Sequence, residues 1–367
     1  MATWVILGCG YTGTRLARAL LAEGHEVRAA ARNLDRLAPL AELGAQLYQI
    51  DGAKRRSLGP VLYGAREARV VFSIPPVQGM PPGLTIASAA EAAQAASVRS
   101  FVYLGSTAVY GETPSGDIVD EDSSISIGDS AAAPRIGEEI AVDTARLSGL
   151  RTVILRLAAI YGPGRGVRER LKLGNYQLLD DGIHYYSRIH VDDLCGVIRA
   201  AAEHEVSGRT YCVADDRPST QREYLEWLSA RMQLPMPPSV ASLAPGARRR
   251  PVRNRKISNA RMKAELGYRL RYPSFVEGEL AIEAEIGSAS QVPAPAPAPV
   301  AAPTPVVAAA APSSPDAAFD LKAAVDALVD QLEAASARAN PDELDATKAA
   351  LHPLRQAIAK LDGDAKT

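Results

Sequence analysis

Short apolar runs alternate with longer helical patterns through the first 286 residues. Runs rich in β-branched and aromatic residues predict strands at residues 4–7, 26–30, 46–50, 69–73, 101–104 and 152–157. Most of them are separated by stretches with helical spacing, such as residues 13–23 and the alanine-rich residues 85–96. Strands that alternate with helices pair in parallel, and helices on both faces explain why these strands are apolar without alternation. The pattern predicts an α/β fold with a doubly wound parallel sheet of the Rossmann type.

The composition changes abruptly near residue 287. Residues 287–315 are almost only Ala, Pro, Val and Ser, a composition that cannot bury a core and favours a semi-rigid linker. Beyond it, apolar residues return at helical spacing on either side of Asn340-Pro341, which predicts a helical hairpin over residues 316–367. Such a hairpin cannot hide its apolar seam alone. It is either a self-association or protein-docking module or a weakly folded tail without a partner.

The charge balance is close to neutral. The formal net charge is −1, from 41 basic and 42 acidic residues, so no global field favours nucleic acid. The basic run between Arg248 and Lys256 lacks aromatic side chains on which bases could stack, which favours a solvated loop. Three cysteines without a CxxC spacing indicate reduced thiols, and no stretch has the pattern of a signal peptide or a membrane span. We expect a cytoplasmic protein that binds no nucleic acid, membrane or metal.

A glycine-rich turn follows the first predicted strand. The residues Gly8, Gly10 and Gly13 form a G-x-G-x-x-G pattern at the start of a helix. Gly8 permits the tight turn, Gly10 has no Cβ to block a pyrophosphate, and Gly13 lets the helix pack against the strand. The helix start, at Tyr11 and Thr12, offers free N–H groups and a positive dipole end to phosphates. The turn predicts a dinucleotide site, and the alternative is a glycine turn made only for packing.

The end of the second strand indicates which dinucleotide is bound. NAD enzymes place an Asp or Glu there to hold the ribose 2′-hydroxyl, whereas this chain has Arg32. A guanidinium matches a 2′-phosphate in charge and geometry, so the residues favour NADP, with NAD as the second choice. An ordinary solvated arginine is the alternative. Asp51, after the third strand, is a candidate acceptor for the adenine amino group, or else a helix cap or turn residue.

Four ordered motifs resemble a known family. They are the glycine turn, GSTAVYG at residues 105–111, LRLAAIYGPG at residues 155–164 and RIHVDDL at residues 188–194. Together they resemble the extended short-chain dehydrogenases/reductases of the NAD-dependent epimerase/dehydratase type. Residues 258–275 are similar to the C-terminal signature of the atypical YeeZ-like subgroup. The resemblance covers about residues 2–286 and says nothing about the linker and the tail.

The resemblance implies a division of the first 286 residues into two parts. The cofactor part would lie mainly in residues 1–164 and 189–214, and a small α/β substrate lobe mainly in residues 165–188 and 215–286. Ser106 would be the substrate-side hydroxyl. Other residues would lie along the cofactor, namely Ile74 and Pro75 beside it, with Ala158 and Ile160 near the nicotinamide carboxamide.

One element of the family's chemistry is missing. The family uses a Tyr-x-x-x-Lys pair, in which the Lys lowers the phenol pKa so that the Tyr can exchange a proton with the substrate oxygen. None of the 13 tyrosines has a Lys four residues later, and residues 129–146, where the pair should fall, contain neither type. If Glu139 lies at or near the Lys position, its carboxylate would raise a neighbouring phenol's pKa.

Few residues could replace that acid. Tyr110 and Ser106 are the catalytic candidates, although Tyr110 also fits a packing role and Ser106 alone is a poor acid. His190 titrates in the right range, but a structural role is favoured for it, and Asp192 and Asp193 are expected to cap the following helix. Arg165 and Arg188 are candidates for holding an anionic substrate such as a sugar-nucleotide phosphate. A surface ion pair is the alternative for each of these two arginines.

Three functional hypotheses remain. The first is an NADP-dependent oxidoreductase or epimerase-like enzyme with a non-standard acid, acting on a small carbonyl or nucleotide-sugar-like compound. The second is a non-catalytic redox sensor that binds NADP(H) and signals through the C-terminal helices. The third is a scaffold with a vestigial site, and the retained glycine turn and Arg32 speak against it.

Overall fold

The computed structural model describes residues 1–113, 115–127, 129–205, 207–241 and 253–291. The strands are β1 Thr3–Leu7, β2 Glu26–Ala31, β3 Gln46–Gln49, β4 Arg69–Phe72, β5 Ser100–Leu104, β6 Ile118–Val119, β7 Thr152–Leu157, β8 Ala159–Tyr161, β9 Leu178–Leu179, β10 Tyr185–Tyr186, β11 Arg188–His190, β12 Arg209–Val213, β13 Ser219–Thr220, β14 Ser239–Val240 and β15 Lys256–Ile257. The α-helices are α1 Tyr11–Ala22, α2 Ala38–Ala41, α3 Gly59–Leu62, α4 Leu84–Ala95, α5 Ala133–Leu147, α6 Val167–Lys172, α7 Val191–Glu203, α8 Gln221–Met232, α9 Ala260–Leu266 and α10 Phe275–Gln291. The hairpin expected at residues 316–367 lies outside the described residues, as does the expected linker beyond residue 291.

Seven strands form one parallel sheet in the order β12-β7-β5-β4-β1-β2-β3. The predicted doubly wound Rossmann-type fold is therefore confirmed. Six of these strands were expected from the sequence, and β12 adds the seventh beside β7. The strand order reverses at β1, because the chain moves to β2 on one side and later to β4 on the other. Ligands of such sheets bind at the carboxyl ends of the strands beside this reversal.

Alternate side chains of the strands pack into two separate cores. Trp4 and Ile6 of β1 lie in a core that includes apolar residues of α1 and α7. Val5 and Leu7 point to the opposite face and share a second core with α3, α4 and α5. Both faces of the sheet are covered, which explains the uninterrupted apolar runs in the strands.

A smaller lobe has its own core, formed by α6, β9, α8 and the start of α10. Leu171, Leu178, Tyr224, Leu225, Leu228 and Phe275 are its buried members. All six fall in the segments expected for a substrate lobe. Helix α9 also lies in those segments, but its Met262 packs into the core that contains α1 and α7. The apolar side of α9 belongs to the cofactor part, although its sequence position suggested the lobe.

Two further expectations differ from the structure. Helix α10 runs to Gln291, five residues into the expected linker, since Ala and Ser do not stop a helix and the first proline of the linker is Pro293. Arg255 of the basic run is 5% exposed and donates to the carbonyl oxygen of Gly111 at 2.8 Å. Residues 248–252 of that run lie outside the described residues.

Candidate functional site

A cleft of about 420 Å³ opens at the carboxyl ends of β1 and β4. Its walls come from the glycine turn after β1, the end of β2, the segment after β3 and the segment after β4. The hydroxyl of Ser73, directly after β4, donates to the carbonyl oxygen of Gly8 at 2.7 Å and ties two of these walls together. The cleft lies at the place where the strand order reverses.

The three glycines of the turn differ in what an added Cβ would contact. Gly8 has a φ of +87°, and a Cβ on it would lie 2.7 Å from the backbone nitrogen of Ile74. A Cβ on Gly13 would lie 2.9 Å from Cγ2 of Ile6, so α1 packs closely on β1. A Cβ on Gly10 would meet nothing nearer than the oxygen of Gly8 at 3.8 Å. Packing therefore requires Gly8 and Gly13, whereas Gly10 borders open space.

The start of α1 faces this open space without a protein cap. Gly10 is the N-cap residue and supplies no side chain, so the first-turn N–H groups, including those of Tyr11 and Thr12, are not capped by a side chain. The phenol oxygen of Tyr11 is buried and has no hydrogen-bond partner among the described residues. The guanidinium carbon of Arg165 lies 5.2 Å from the centre of the Tyr11 ring. This geometry suits a pyrophosphate, which needs N–H donors and close backbone approach.

Two arginines lie at the other end of the cleft. Arg32 follows β2, Arg36 lies in the 3-10 turn Asp35–Leu37, and both line the cleft. The guanidinium of Arg32 forms no hydrogen bond or ion pair with any described residue. Sequence reasoning missed Arg36, although its position four residues after Arg32 was the available signal. Two cationic side chains at this end can receive a 2′-phosphate.

Asp51 also lines the cleft, but part of its bonding capacity is used locally. Its Oδ1 accepts the N–H of Ala53 at 3.1 Å, and its Oδ2 lies 3.8 Å from Nζ of Lys54. These contacts make it a turn residue, which was the alternative to adenine recognition. Ile74 and Pro75 also line the cleft, and their contact with a cofactor stays a prediction.

The residues expected around the nicotinamide lie outside the lining of the cleft. Ser106 is half-buried, and its Oγ accepts the N–H of Ala108 at 3.1 Å. Ala158 is buried at the end of β7, while Ile160 pairs with Ile189 of β11. None of Ser106, Ala158 and Ile160 lines the cleft described above.

The contacts of Tyr110 favour the packing alternative over a catalytic role. Its ring is 4% exposed, and its hydroxyl donates to the carbonyl oxygen of Asp120 at 2.6 Å. The same hydroxyl accepts from Arg156 at 2.9 Å and contacts the sulfur of Cys212 at 3.1 Å. Burial raises the pKa of Tyr110 well above its usual value. A phenol with this pKa, enclosed by three partners, is not placed to exchange protons with a substrate.

Helix α5 lies in the segment where the resemblance implies the Tyr and Lys, and it carries two buried carboxylates, Glu138 and Glu139. Glu139 forms a two-bond ion pair with Arg156, with N–O distances of 3.0 and 2.8 Å. Glu138 accepts from the phenol of Tyr103 at 2.5 Å and from Arg135 at 2.9 Å. Both acidic side chains are therefore held by arginines.

The expectation that Asp192 and Asp193 cap α7 is wrong. His190 is the N-cap residue, and its Nδ1 accepts the N–H of Asp192 at 3.2 Å. The side chain of Asp192 pairs with Arg15 at 2.7 Å, and Asp193 accepts the N–H of Arg271 at 2.7 Å. Burial lowers the pKa of His190 to about 4. A neutral, buried helix cap agrees with the structural role favoured for this histidine.

Arg188 lies inside the protein, contrary to both interpretations of its sequence position. It is 6% exposed, donates to Oγ of Ser219 at 2.8 Å and lies 4.0 Å from the centre of the Tyr224 ring. Burial raises the pKa of the nearby Asp215 to about 8, and the positive charge of Arg188 opposes that rise. Arg188 stabilises the interior at the base of the lobe, because its guanidinium is committed to neighbouring side chains.

Comparisons with known proteins agree with this geometry. Residues 83–214 match the model of the NAD dependent epimerase/dehydratase family, and residues 3–116 match that of the NmrA-like family. A solved structure, of a conserved protein of unknown function from Silicibacter pomeroyi DSS, is 32% identical with a TM-score of 0.67, covering 78% of this chain and 99% of that one. The chain belongs to the extended short-chain dehydrogenases/reductases.

Two curated relatives of this dehydrogenase/reductase are reductases. A 3-diazoavenalumate denitrifying reductase of Streptomyces sp is 28% identical over 301 residues, which are 73% of this chain and 96% of the relative. A 4-hydroxy-2-methyl-3-oxo-4-farnesyl-3,4-dihydroquinoline-1-oxide ketoreductase of Stigmatella aurantiaca is 27% identical over 247 residues, 62% of this chain and 72% of the relative. The family model and these two relatives support an oxidoreductase or epimerase-like enzyme with a nicotinamide dinucleotide as its cofactor.

Membrane-spanning helices and metal-binding clusters are both absent from the part of the chain that the structure describes. No helix there has the length and apolar character needed to cross a bilayer. No group of three His, Cys, Asp or Glu side chains there is arranged to hold a metal ion. Assignment to the YeeZ-like subgroup stays a prediction.

Proposed function

We propose that this dehydrogenase/reductase uses NADPH to reduce a small carbonyl compound, and that it does so without a Tyr-x-x-x-Lys pair. The observation that carries the choice of NADP is the pair Arg32 and Arg36 at the ribose end of the cleft. Asp51 is the only carboxylate among the residues that line this cleft, and it belongs to the turn after β3. A 2′-phosphate is favoured where guanidinium groups are free and no carboxylate replaces them.

The chain's own residues would hold the cofactor along the edge of the sheet. The uncapped start of α1 would receive the pyrophosphate, with Gly10 leaving room for it. Ile74 and Pro75 would pack along the dinucleotide, and Arg165 beside Tyr11 adds a positive charge near the phosphates. When bound, the nicotinamide supplies the hydride for carbonyl reduction.

Two observations support a reductase over an epimerase. Both curated relatives named above are reductases, and one is a ketoreductase. Arg188, the sequence candidate for a sugar-nucleotide phosphate, is buried among lobe side chains. A small carbonyl substrate needs no such anion site.

The test combines cofactor binding with turnover. Fluorescence titrations of the full chain are expected to show tighter binding of NADPH than of NADH. Arg32→Ala is expected to weaken NADPH by about 10- to 100-fold, since a charge-assisted hydrogen bond contributes about 1.5–3 kcal/mol, and to leave NADH unchanged. Equal losses for both dinucleotides would contradict the 2′-phosphate role.

Turnover separates the enzyme from the sensor. A panel of aldehydes and ketones is expected to include compounds that oxidise NADPH in the presence of the protein. Tight NADPH binding without oxidation by any of them would favour the non-catalytic redox sensor. Failure to bind either dinucleotide would reject both functions.

The C-terminal segment carries a separate proposal. We propose that residues 316–367 act as a self-association or docking module, because their apolar residues recur at the spacing of amphipathic helices. Truncation after Gln291, where α10 ends, leaves the described fold complete. The truncated chain is expected to have a smaller number of subunits by light scattering or to lose a partner. An unchanged assembly and unchanged partners would reject this module.

A further inference from the structure

A second cavity, of about 270 Å³, adjoins the cofactor cleft. It lies between the segment after β4 and the start of α5, with Met80 on one wall and Pro134 and Glu138 on the other. Pro76 and Gln78 line both the cavity and the cleft, so the two spaces share a wall. The volume suits a compound of several non-hydrogen atoms beside a bound dinucleotide.

The segment after β4, which forms one wall of the cavity, packs closely against α5 because two of the residues in contact are glycines. A Cβ on Gly137 would lie 2.5 Å from Cβ of Pro82, and a Cβ on Gly83 would overlap the carbonyl oxygen of Gly137. The segment after β4 therefore presses directly on the helical turn that carries Glu138. Larger residues at either glycine would separate the wall from the carboxyl group.

Glu138 is a polar group in an otherwise mostly apolar cavity. It is 3% exposed, and its Oε2 accepts from Tyr103 and Arg135. Its Oε1 accepts no hydrogen bond from any described residue. The neighbouring Glu139 is equally buried, but both of its oxygens bind Arg156 and it does not line the cavity. Only Glu138 of the two has an oxygen left for a ligand.

We propose that Glu138 is the catalytic acid, and that it protonates the oxygen of a carbonyl compound bound in this cavity. This role rests on the proposed reductase function. The carbonyl carbon receives the hydride of the reduced nicotinamide, and the carbonyl oxygen takes the carboxyl proton, so a C–H and an O–H bond replace the C=O π bond. The nicotinamide is oxidised and the carbonyl is reduced. The carboxylate that remains takes a proton from water.

The surroundings of Glu138 support both protonation states. Burial raises its pKa, while the hydrogen bond from Tyr103 and the charge of Arg135 lower it, and Glu139 opposes ionisation. The result is a pKa above the usual value for glutamate. After proton transfer, Tyr103 and Arg135 stabilise the carboxylate as positioning residues. A carboxyl group that holds its proton more tightly than usual, and whose carboxylate is stabilised after the proton leaves, meets the requirement for a general acid.

The first test is kinetic and uses the full chain with NADPH. Glu138→Gln keeps the shape of the side chain but has no acidic proton, so kcat for any carbonyl that the wild type reduces is expected to fall about 100-fold or more. The dissociation constant of NADPH is expected to stay within about twofold of wild type, because Glu138 lines the cavity and not the cleft. The matched control is Glu279→Gln, because the Glu279 carboxylate is also buried and also accepts from an arginine and a tyrosine, Arg168 and Tyr224, but lines neither the cavity nor the cleft; this variant is expected to keep kcat.

The kinetic outcomes are distinct. Wild-type kcat in Glu138→Gln, or an equal loss in Glu279→Gln, would overturn the role of Glu138 and leave the reductase function intact. A wild type that oxidises no NADPH with any carbonyl would reject the reductase function itself.

The second test does not depend on turnover. Infrared spectra of the wild type recorded at decreasing pH are expected to show the C=O band of a protonated carboxyl group at a higher pH than a glutamate of the usual pKa would give, because burial raises the pKa of Glu138. That band is expected to be absent from Glu138→Gln and present in Glu279→Gln. A carboxylate that serves only as an ion-pair partner of Arg135 would take up its proton at a lower pH than usual. Identical bands in all three proteins would therefore overturn the proposal.

Discussion

Replacing Gly10 by alanine separates the demands of the fold from those of the ligand. The added Cβ would meet no protein atom closer than 3.8 Å, and the φ of −96° lies outside the region that favours glycine. We therefore expect the free energy of unfolding to stay within about 1 kcal/mol of wild type, since glycine-to-alanine changes at compatible positions have effects of about 0.4–1 kcal/mol. The same Cβ would project into the space expected for the pyrophosphate.

The effect on binding can be estimated from the contacts that the methyl group displaces. An N–H hydrogen bond to a charged group contributes about 1.5–3 kcal/mol, so the loss of one such bond at the start of α1 weakens binding by about 10- to 100-fold. NADPH and NADH share the pyrophosphate and are expected to lose the same factor. This equal loss distinguishes Gly10→Ala from Arg32→Ala, which is expected to affect NADPH alone.

Gly8→Ala is the matched control for stability. Its Cβ would lie 2.7 Å from the backbone nitrogen of Ile74, and its φ of +87° costs about 1–3 kcal/mol for a residue with a Cβ. Urea unfolding and fluorescence titration of both variants measure the two effects. NADPH binding of wild-type strength in Gly10→Ala would refute the placement of the pyrophosphate on this turn. A loss of stability as large as that of Gly8→Ala would refute the open space beside Gly10.

Three further predictions concern single side chains. Arg36→Ala is expected to weaken NADPH about 10-fold and spare NADH in fluorescence titrations, and an equal effect on both would contradict its role at the 2′-phosphate. Glu139→Ala is expected to lower the free energy of urea unfolding by about 3–5 kcal/mol, because Arg156 would stay buried without its carboxylate, and a loss below about 1 kcal/mol would refute this. The pKa of the His190 ring is about 6.5 in the unfolded state and about 4 in the folded state. Between these values the unfolded state binds more protons, so the free energy of unfolding decreases as the pH falls from 6.5 through 4, by about 3 kcal/mol in total. His190→Asn keeps a neutral cap, and its melting temperature is expected to decrease less over this range; equal slopes would show that His190 is not the titrating group.

The sheet and the glycine turn could be predicted because their signals are local. A buried parallel strand needs a continuous apolar run, and a phosphate-binding turn needs glycines at fixed spacing. Arg32 was also predictable, since its position relative to β2 follows from the strand pattern. Boundaries were less certain where residues suit two structures, as the alanine- and serine-rich end of α10 shows.

Burial and pairing of charged groups could not be predicted in the same way. Arg188, Arg255 and Glu139 have the sequence context of surface residues, yet each is buried. Their partners are distant in the chain, as in the pairing of Glu139 with Arg156. Which of two adjacent glutamates borders a cavity depends on the segment that packs against α5.

The sequence by itself determined the fold class and predicted a dinucleotide site at the glycine turn, because each depends on residues close together in the chain. The tertiary structure decided which charged side chains are available for chemistry. It committed Tyr110, His190 and Arg188 to structural contacts, and it left Arg32 and one oxygen of Glu138 without partners among the described residues. The physical reason is that a side chain's pKa and bonding capacity depend on neighbours brought together only by folding. The spacing of the glycine turn is readable in the sequence, whereas the cavity beside Glu138 depends on the packing of the segment after β4 against α5.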